Sequence, residues 1–307
     1  MLKSIYILTI FLSLSICQNQ TGAKFLLISP GARATSLGNA QVANSNDIFA
    51  SFWNPASLAS IKKSSFGLVH FKWFPNLSND MYYNFLGFNH SFKKYGSIGG
   101  HLIHLNLGSQ QHMGNSKDDI LGQFQSYMNA AVVSYAYSYN KKISLGFNFR
   151  WFHQNLFDVN SDILNASSQS NSYNFDLGIL TKNIFKRVNL GITIKHIGTD
   201  LKYSSTIDQQ SQPLLITLGI FSPILKFDKI NSSILYDMQL LQSNHNAFNH
   251  CIGIENQIFN QFLLRTGYNI NGLQNSNYLT IGSGFNINDF IFDFSILLGQ
   301  TTNLTNN

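Results

Sequence analysis

From about residue 64 to residue 298 the chain alternates apolar residues with small or polar ones at every second position. Between positions 143 and 151, Ile143, Leu145, Phe147, Phe149 and Trp151 share one parity; Ser144, Gly146, Asn148 and Arg150 share the other. The same period of two runs through Tyr173–Ile179, Val188–His196, Ile230–Leu240, Phe248–Ile258, Phe262–Ile270, Leu279–Ile287 and Phe290–Leu298. Side chains of a strand point alternately to opposite faces, so the pattern predicts strands with one apolar face, not helices.

The connections alternate too. Short ones fall near Lys93–Tyr95, Asn140–Lys142, Phe185–Arg187, Lys226–Lys229, Asn260 and Asn288–Asp289. Longer polar ones fall between them, at Gly108–Phe124, Val159–Asn171, Leu201–Gln212 and Ser243–Asn246. A soluble sandwich and a membrane barrel share the strand signature. Short turns in rotation with longer loops select the barrel, as do aromatics near strand ends: Trp73, Phe74, Tyr82, Tyr137, Trp151, Tyr173 and Tyr268. About thirteen strands can be counted, and a closed bacterial barrel normally has an even number. The expectation is an all-β, transmembrane antiparallel β-barrel of about 14 strands, either with Thr301–Asn306 as a weak closing strand or with two strands merged in the count. Lipid-facing Phe147 and Ile192 are expected to tolerate charge poorly, and lumenal Asn148 to tolerate it well.

Composition agrees with one lipid face and one wet face. Of the 307 residues only 11% are charged while 14% are aromatic, with 26 Phe and 13 Tyr; neutral Asn, Ser, Gln and Thr carry the remaining polarity. Mean hydropathy of −0.03 is far too low for a helical membrane protein. The net charge of +6 comes from scattered basic residues without a concentrated stripe, so nucleic acid is not an expected partner; outer-membrane lipid is. Lys3 followed by the apolar run Ile5–Ile16 predicts a secretory signal peptide over residues 1–17. Cleavage after Cys17 would leave Cys251 as the single cysteine; lipidation of Cys17 is the rival reading, opposed by the bulk of Ile16 before it.

The stretch "GAKFLLISPGARATSLGNAQVANSNDIFASFWNPASLA", residues 22–59, is broken by Pro30, Gly31, Gly38 and a polar run at 44–47, and is not a spanning strand. It resembles the N-terminal signature of the PorV/PorQ family of outer-membrane barrels. The matching positions are Gly22, Phe25 and Leu26, then Gly31-Ala32-Arg33-Ala34, Gly38 and Ala40, Asp47, and Asn54-Pro55-Ala56. The family's usual Gly after the last of these is Ser57 here. The resemblance implies a fourteen-stranded barrel related to the FadL-type channels, whose N-terminal segment folds back as a hatch. It also implies partners among secretion-system proteins or secreted cargo of type IX secretion, with a channel for a hydrophobic ligand as the alternative. The expected organisation is a signal peptide (1–17), a plug or hatch element (18–60) turning at an Asn54-Pro55 hinge into the first strand, and the barrel (61–307).

No catalytic motif, phosphate loop or metal-ligand spacing is present, and no cofactor is expected; an outer-membrane hydrolase is the enzyme alternative. By the alternation, Arg150, Asp176 and Lys195 face the lumen from neighbouring strands, as do Asp237, Glu255 and Arg265. They read as a cross-strand charge network, with Arg33 reaching its acidic members. Residues 22–59, with apolar Phe25, Leu26, Leu37, Phe52 and Trp53, are too few to build a core alone and are expected to pack within or across the periplasmic mouth.

Overall fold

The computed structural model describes residues 21–76, 78–113, 120–160, 165–185, 187–203, 209–242, 247–271 and 276–299. Among the described residues thirteen antiparallel strands form one sheet in sequence order. They are β1 (Ser65–Lys72), β2 (Tyr82–Ser91), β3 (Ser97–Met113), β4 (Ile120–Ser138), β5 (Ile143–Asn160), β6 (Asn165–Ile184) and β7 (Val188–Gly198), followed by β8 (Leu215–Phe227), β9 (Ile230–Leu241), β10 (Ala247–Ile258), β11 (Phe262–Asn271), β12 (Ser276–Ile287) and β13 (Phe290–Gly299). Every junction is a hairpin between consecutive strands, so no crossover has to be accommodated.

The alternation read from the sequence is the inside–outside pattern of the wall. In β6, Tyr173, Phe175, Leu177 and Ile179 are exposed on the outer face, while Asn174, Asp176, Gly178 and Leu180 are buried. Short turns close one end, and Asn183, Asp228, Asn260 and Asn288 take positive φ there, a conformation that Asn and Asp tolerate better than other side-chain-bearing residues. At the other end the structure differs from expectation. Most of Gly108–Phe124 and much of Val159–Asn171 are not loops but extensions of β3, β4, β5 and β6, which run for 17, 19, 18 and 20 residues. A membrane crossing needs about 9–11 residues, so these two hairpins project well beyond it. Their Ser, Gln and Asn residues read as loop, yet a ladder of paired backbone groups holds them as sheet. Segments 301–306 and 243–246 lie outside the described residues.

The sheet curls around the N-terminal segment. Residues 21–26 start at the long-loop end, where Thr21 bridges Ser211 and Gly22 N–H donates to Ser211 O (2.9 Å). The segment then crosses the lumen through two short helices, α1 (Ala32–Ser36) and α2 (Ala50–Trp53), and leaves by a 3-10 turn, Pro55–Ser60, just before β1. It threads the lumen instead of lying across one mouth. Its Phe25, Leu26, Phe52 and Trp53 join wall residues Tyr83, Phe85, Ile103, Leu105 and Phe152 in one apolar cluster. The inner face of β1–β4 around this cluster is therefore largely apolar, not the polar surface that the alternation suggested. Trp73, expected at the outer girdle, packs against this cluster.

The outward phase predicts a depth-dependent cost. Phe147→Lys, near mid-wall, should destabilise the folded barrel by about 2–4 kcal/mol, whereas Phe185→Lys at the short-turn rim should cost about 0–1 kcal/mol. Urea unfolding in lipid vesicles, read by gel mobility without heating, measures both. Asn148 does not join the tolerant class: it is fully buried and donates to Ser51 O and Asp176 (2.7 and 2.8 Å), so lysine there would break two bonds.

Candidate functional site

The seam between the threaded segment and the wall gathers most of the chemistry in the molecule. Glycines make it possible. Four Gly–Gly pairs stand directly opposite one another on adjacent strands: Gly67–Gly87, Gly146–Gly178, Gly191–Gly219 and Gly253–Gly267. At each pair the inner face meets the N-terminal segment. A Cβ on Gly146 would lie 2.1 Å from Ala56 N, and one on Gly267 would lie 2.0 Å from Gly38 N. Backbone thus approaches backbone where a side chain would exclude it.

The resemblance-implied positions hold the segment's shape and moor it. Gly31 and Gly38 take positive φ (+89 and +62) at the two ends of α1, where only glycine is unstrained. Arg33 and Asp47 are an ion pair (3.4 Å) that ties α1 to the turn before α2. Asn54 works in three directions: its Oδ1 caps Ala56 N–H (3.0 Å), and its Nδ2 donates to Val42 O (2.9 Å) and, across the seam, to Ile179 O of β6 (3.2 Å). Pro55 begins the following 3-10 turn, whose missing N–H would be unpaired in any case. This turn packs against β4, β5 and β6, so Asn54-Pro55 is an anchor and not the hinge into β1, which begins only at Ser65. Ser57 stands within that turn at ordinary φ, so the family's glycine is not needed there.

The lumenal charges fall into three separate sites. In the first, Arg150 grips Asp176 with two bonds (2.7 and 3.1 Å) across β5 and β6, both side chains being fully enclosed. Asn148 and the His196 N–H complete the carboxylate's shell (both 2.8 Å). Lys195 does not join that pair. Its Nζ donates to Phe52 O (3.3 Å) at the end of α2 and sits over the Phe52 ring, 4.8 Å from its centroid. In the second, Asp237 receives neither Arg33 nor another cation; its Oδ2 accepts the backbone N–H groups of Gln41 and Val42 (2.7 and 2.9 Å). The third is a chain of five. Glu255 accepts from Arg33 through both oxygens (3.1 and 3.2 Å) and from Arg265 (2.7 Å), which also holds Asp293 (2.6 Å), while Arg33 reaches Asp47. Burial opposes the Arg33 charge, but Glu255 and Asp47 outweigh it and its pKa is raised. Burial pushes the Asp47 carboxyl up, against the pull of Arg33.

This third site floors a cleft of ≈ 1500 Å³ in the side of the wall. Its flanks are β1 (Ser65–Phe71) on one side and β13 (Phe290–Ser295) on the other, with α1 and residues 46–49 behind. Among the described residues no ladder joins β13 to β1. An ion pair between Lys63 and Asp289 (2.8 Å) crosses the gap at the short-turn end.

Among the described residues one Ser–His contact has the geometry of a nucleophile beside a base. Ser51 Oγ and His101 Nδ1 are 2.8 Å apart, but both are fully buried and the imidazole stacks on Phe85, out of reach of any substrate. Among the described residues no cluster of three His, Cys, Asp or Glu could hold a metal ion. Cys251 is a buried filler beneath Leu37. Sequence reasoning missed the glycine pairs, although single glycines at matching distances on either side of a connection were a usable signal. It also missed Asn269 and Thr280, which bond Gly38 O and N–H (3.0 and 3.2 Å).

A family model described as "Type IX secretion system protein PorV" matches residues 17–243. No curated protein matches in sequence. Among solved structures, the Ralstonia pickettii toluene transporter TbuX is similar at TM-score 0.59 and 13% identity, over 90% of this chain and 94% of that one. A mutant of the monoaromatic hydrocarbon channel TodX is similar at TM-score 0.59 and 12% identity, over 88% and 92%. A Pseudomonas aeruginosa FadL homologue is similar at TM-score 0.51 and 9% identity, over 92% of each chain. At such identities these likenesses establish a shared fold.

Two outcomes follow from the seam. Arg150→Met should cost about 3–5 kcal/mol, because it leaves Asp176 charged and enclosed, and a further Asp176→Leu should recover most of that loss in urea unfolding. Gly267→Val should dislodge the threaded segment, so that trypsin cuts the folded barrel after Arg33. Gly122→Val, with nothing within 4 Å of its Cβ position, should leave that bond protected.

Proposed function

Since the chain belongs to the PorV family of type IX secretion system proteins, we propose that it serves type IX secretion as a protein-binding barrel, receiving or handing on cargo or surface-attachment partners. The four-stranded palisade of β3 to β6 carries this reading. It stands clear of the membrane span and presents neutral polar side chains such as Ser109, Gln110, Gln111 and Gln123 on paired, ordered backbone. A surface of that kind suits docking of a folded protein better than passage of a solute. The threaded segment then acts as a fixed plug that prevents leakage. Export through the signal peptide over residues 1–17, with the long strands outside the cell, belongs to the same reading.

A second reading is a channel for hydrophobic small molecules. The side cleft and the apolar cluster of Phe25, Phe52, Phe85 and Phe152 favour it, as does the fold shared with a toluene transporter.

Purification of the tagged chain from detergent-solubilised outer membranes, with mass spectrometry of what accompanies it, separates the two. Secretion components or cargo should co-purify in stoichiometric amounts. They should be lost when the β3–β4 and β5–β6 projections are replaced by tight turns, the barrel remaining folded. Partners that survive this truncation, or uptake of labelled toluene without any partner, would overturn the first reading. An epitope inserted within residues 161–164 should be reached by antibody on intact cells; labelling only after lysis would invert the topology.

A further inference from the structure

The six short turns and the residues leading into β1 make up one rim of the barrel. Among the described side chains it holds Lys62 and Lys63 before β1, Lys94 after β2, and Lys141 and Lys142 after β4. Farther round come Lys182 and Arg187 at the β6–β7 turn, then Lys226 and Lys229 at the β8–β9 turn. All but the half-buried Lys182 are exposed. The described acids of this rim are Asp228 and Asp289, and Asp289 is already taken by Lys63. The opposite end is mixed, with Lys24, Lys72 and Lys202 against Asp80 and Asp200.

Every short turn also carries an exposed aromatic: Tyr95, Tyr139, Phe185, Phe227, Phe259 and Phe290. Two of these lie under a rim cation, Lys94 over Tyr95 and Lys229 over Phe259, each 5.0 Å from the ring centroid. We propose that this rim is a collar that binds the headgroups of anionic phospholipids in the leaflet at the short-turn end. Rings that are amphipathic or cation-capped settle at headgroup depth, and the neighbouring ammonium and guanidinium groups then stand at the level of the phosphates. The distribution favours lipid over a soluble acidic protein. The cations extend from the entry to β1 round to the β8–β9 turn, an arc that a surrounding annulus of lipid can meet all at once. A protein partner would call for one concentrated patch, and exposed aromatics at every turn would have no purpose. The β10–β11 and β12–β13 turns contribute no cation of their own, and each is reached by a neighbour's: Lys229 lies over Phe259 of the first and Lys63 pairs with Asp289 of the second, beside the side cleft.

The test uses the full chain in nanodiscs of phosphatidylcholine containing a minority of phosphatidylglycerol, released gently for native mass spectrometry. Phosphatidylglycerol should remain on the protein at roughly fivefold or more over its share of the bilayer, the ratio expected from one well-placed cation. Neutralising Lys62, Lys94, Lys141, Lys142, Arg187, Lys226 and Lys229 to Gln should return the ratio to that of the bulk lipid. Lys24, Lys72 and Lys202 to Gln should leave it enriched. Should the neutralised chain fail to fold, salt provides the second measurement: enrichment on the unaltered protein should fall as salt screens the exposed cations. Absence of enrichment, or enrichment indifferent to both neutralisation and salt, overturns the proposal. So does tight binding of polyglutamate at the rim without any preference among lipids, which would give the collar to an acidic protein.

Discussion

A polypeptide threaded through a barrel has little water with which to satisfy its peptide groups, and the interior is arranged around that demand. Segment 21–61 contains only two short helices and two 3-10 turns, so many of its N–H and C=O groups have no partner within the segment. The wall supplies them. Asp237 takes the N–H groups of Gln41 and Val42, Thr280 and Asn269 take the N–H and C=O of Gly38, and Asn148 and Lys195 take the carbonyls of Ser51 and Phe52. An unmet group in such a place costs about 1–3 kcal/mol, which explains why buried polar residues are so frequent on the inner face of β5 to β12.

Bonds of that length require contact, and contact requires the absence of side chains. The paired glycines bring the wall within reach of the segment's backbone. A single glycine weakens a strand, because it adds chain entropy and packs nothing. Here the loss is offset at the seam, where a methyl group at Gly146 or Gly267 would push Ala56 or Gly38 away and break the bonds formed around them. The Arg150–Asp176 pair belongs to the same economy. Its desolvation makes it a weak source of stability, but the carboxylate also fixes Asn148, and through Asn148 the end of α2.

The strands were legible because lipid outside and protein inside impose one period on every segment, and nothing competes with that signal. Turn positions were legible for the same reason. Strand length was not, because past the membrane the outer face no longer has to be apolar. The Ser–Gln–Asn stretches at 109–113, 120–125 and 165–171 lose the alternation while keeping their ladders. Inward orientation of Arg150, Asp176, Lys195, Asp237, Glu255 and Arg265 could be read from parity; their partners could not. Pairing depends on which strand each segment of the plug passes, and parity says nothing of that. Glu255 and Arg265 meet because they are cross-strand neighbours, whereas Asp237 was expected to receive a cation and receives two peptide N–H groups.

The side cleft brings the two demands of the molecule together. In hydrocarbon an unpaired strand edge is as costly as an unpaired peptide inside the lumen, which is why barrels close. Among the described residues β1 and β13 leave such edges on either side of the gap, and the groups behind it are ionic: Arg33, Glu255, Arg265 and Asp293. Ions at the floor of an opening in the wall keep that opening wet or filled by polar chain, since lipid tails there would have to desolvate them. The same ions are the link between plug and wall on this side, because Glu255 holds Arg33 of α1 and Arg265 of β11 together. Whatever occupies the cleft is therefore in contact with the segment that fills the lumen. Moving α1 there would expose Glu255, and moving Glu255 would loosen the turn that Arg33 ties through Asp47.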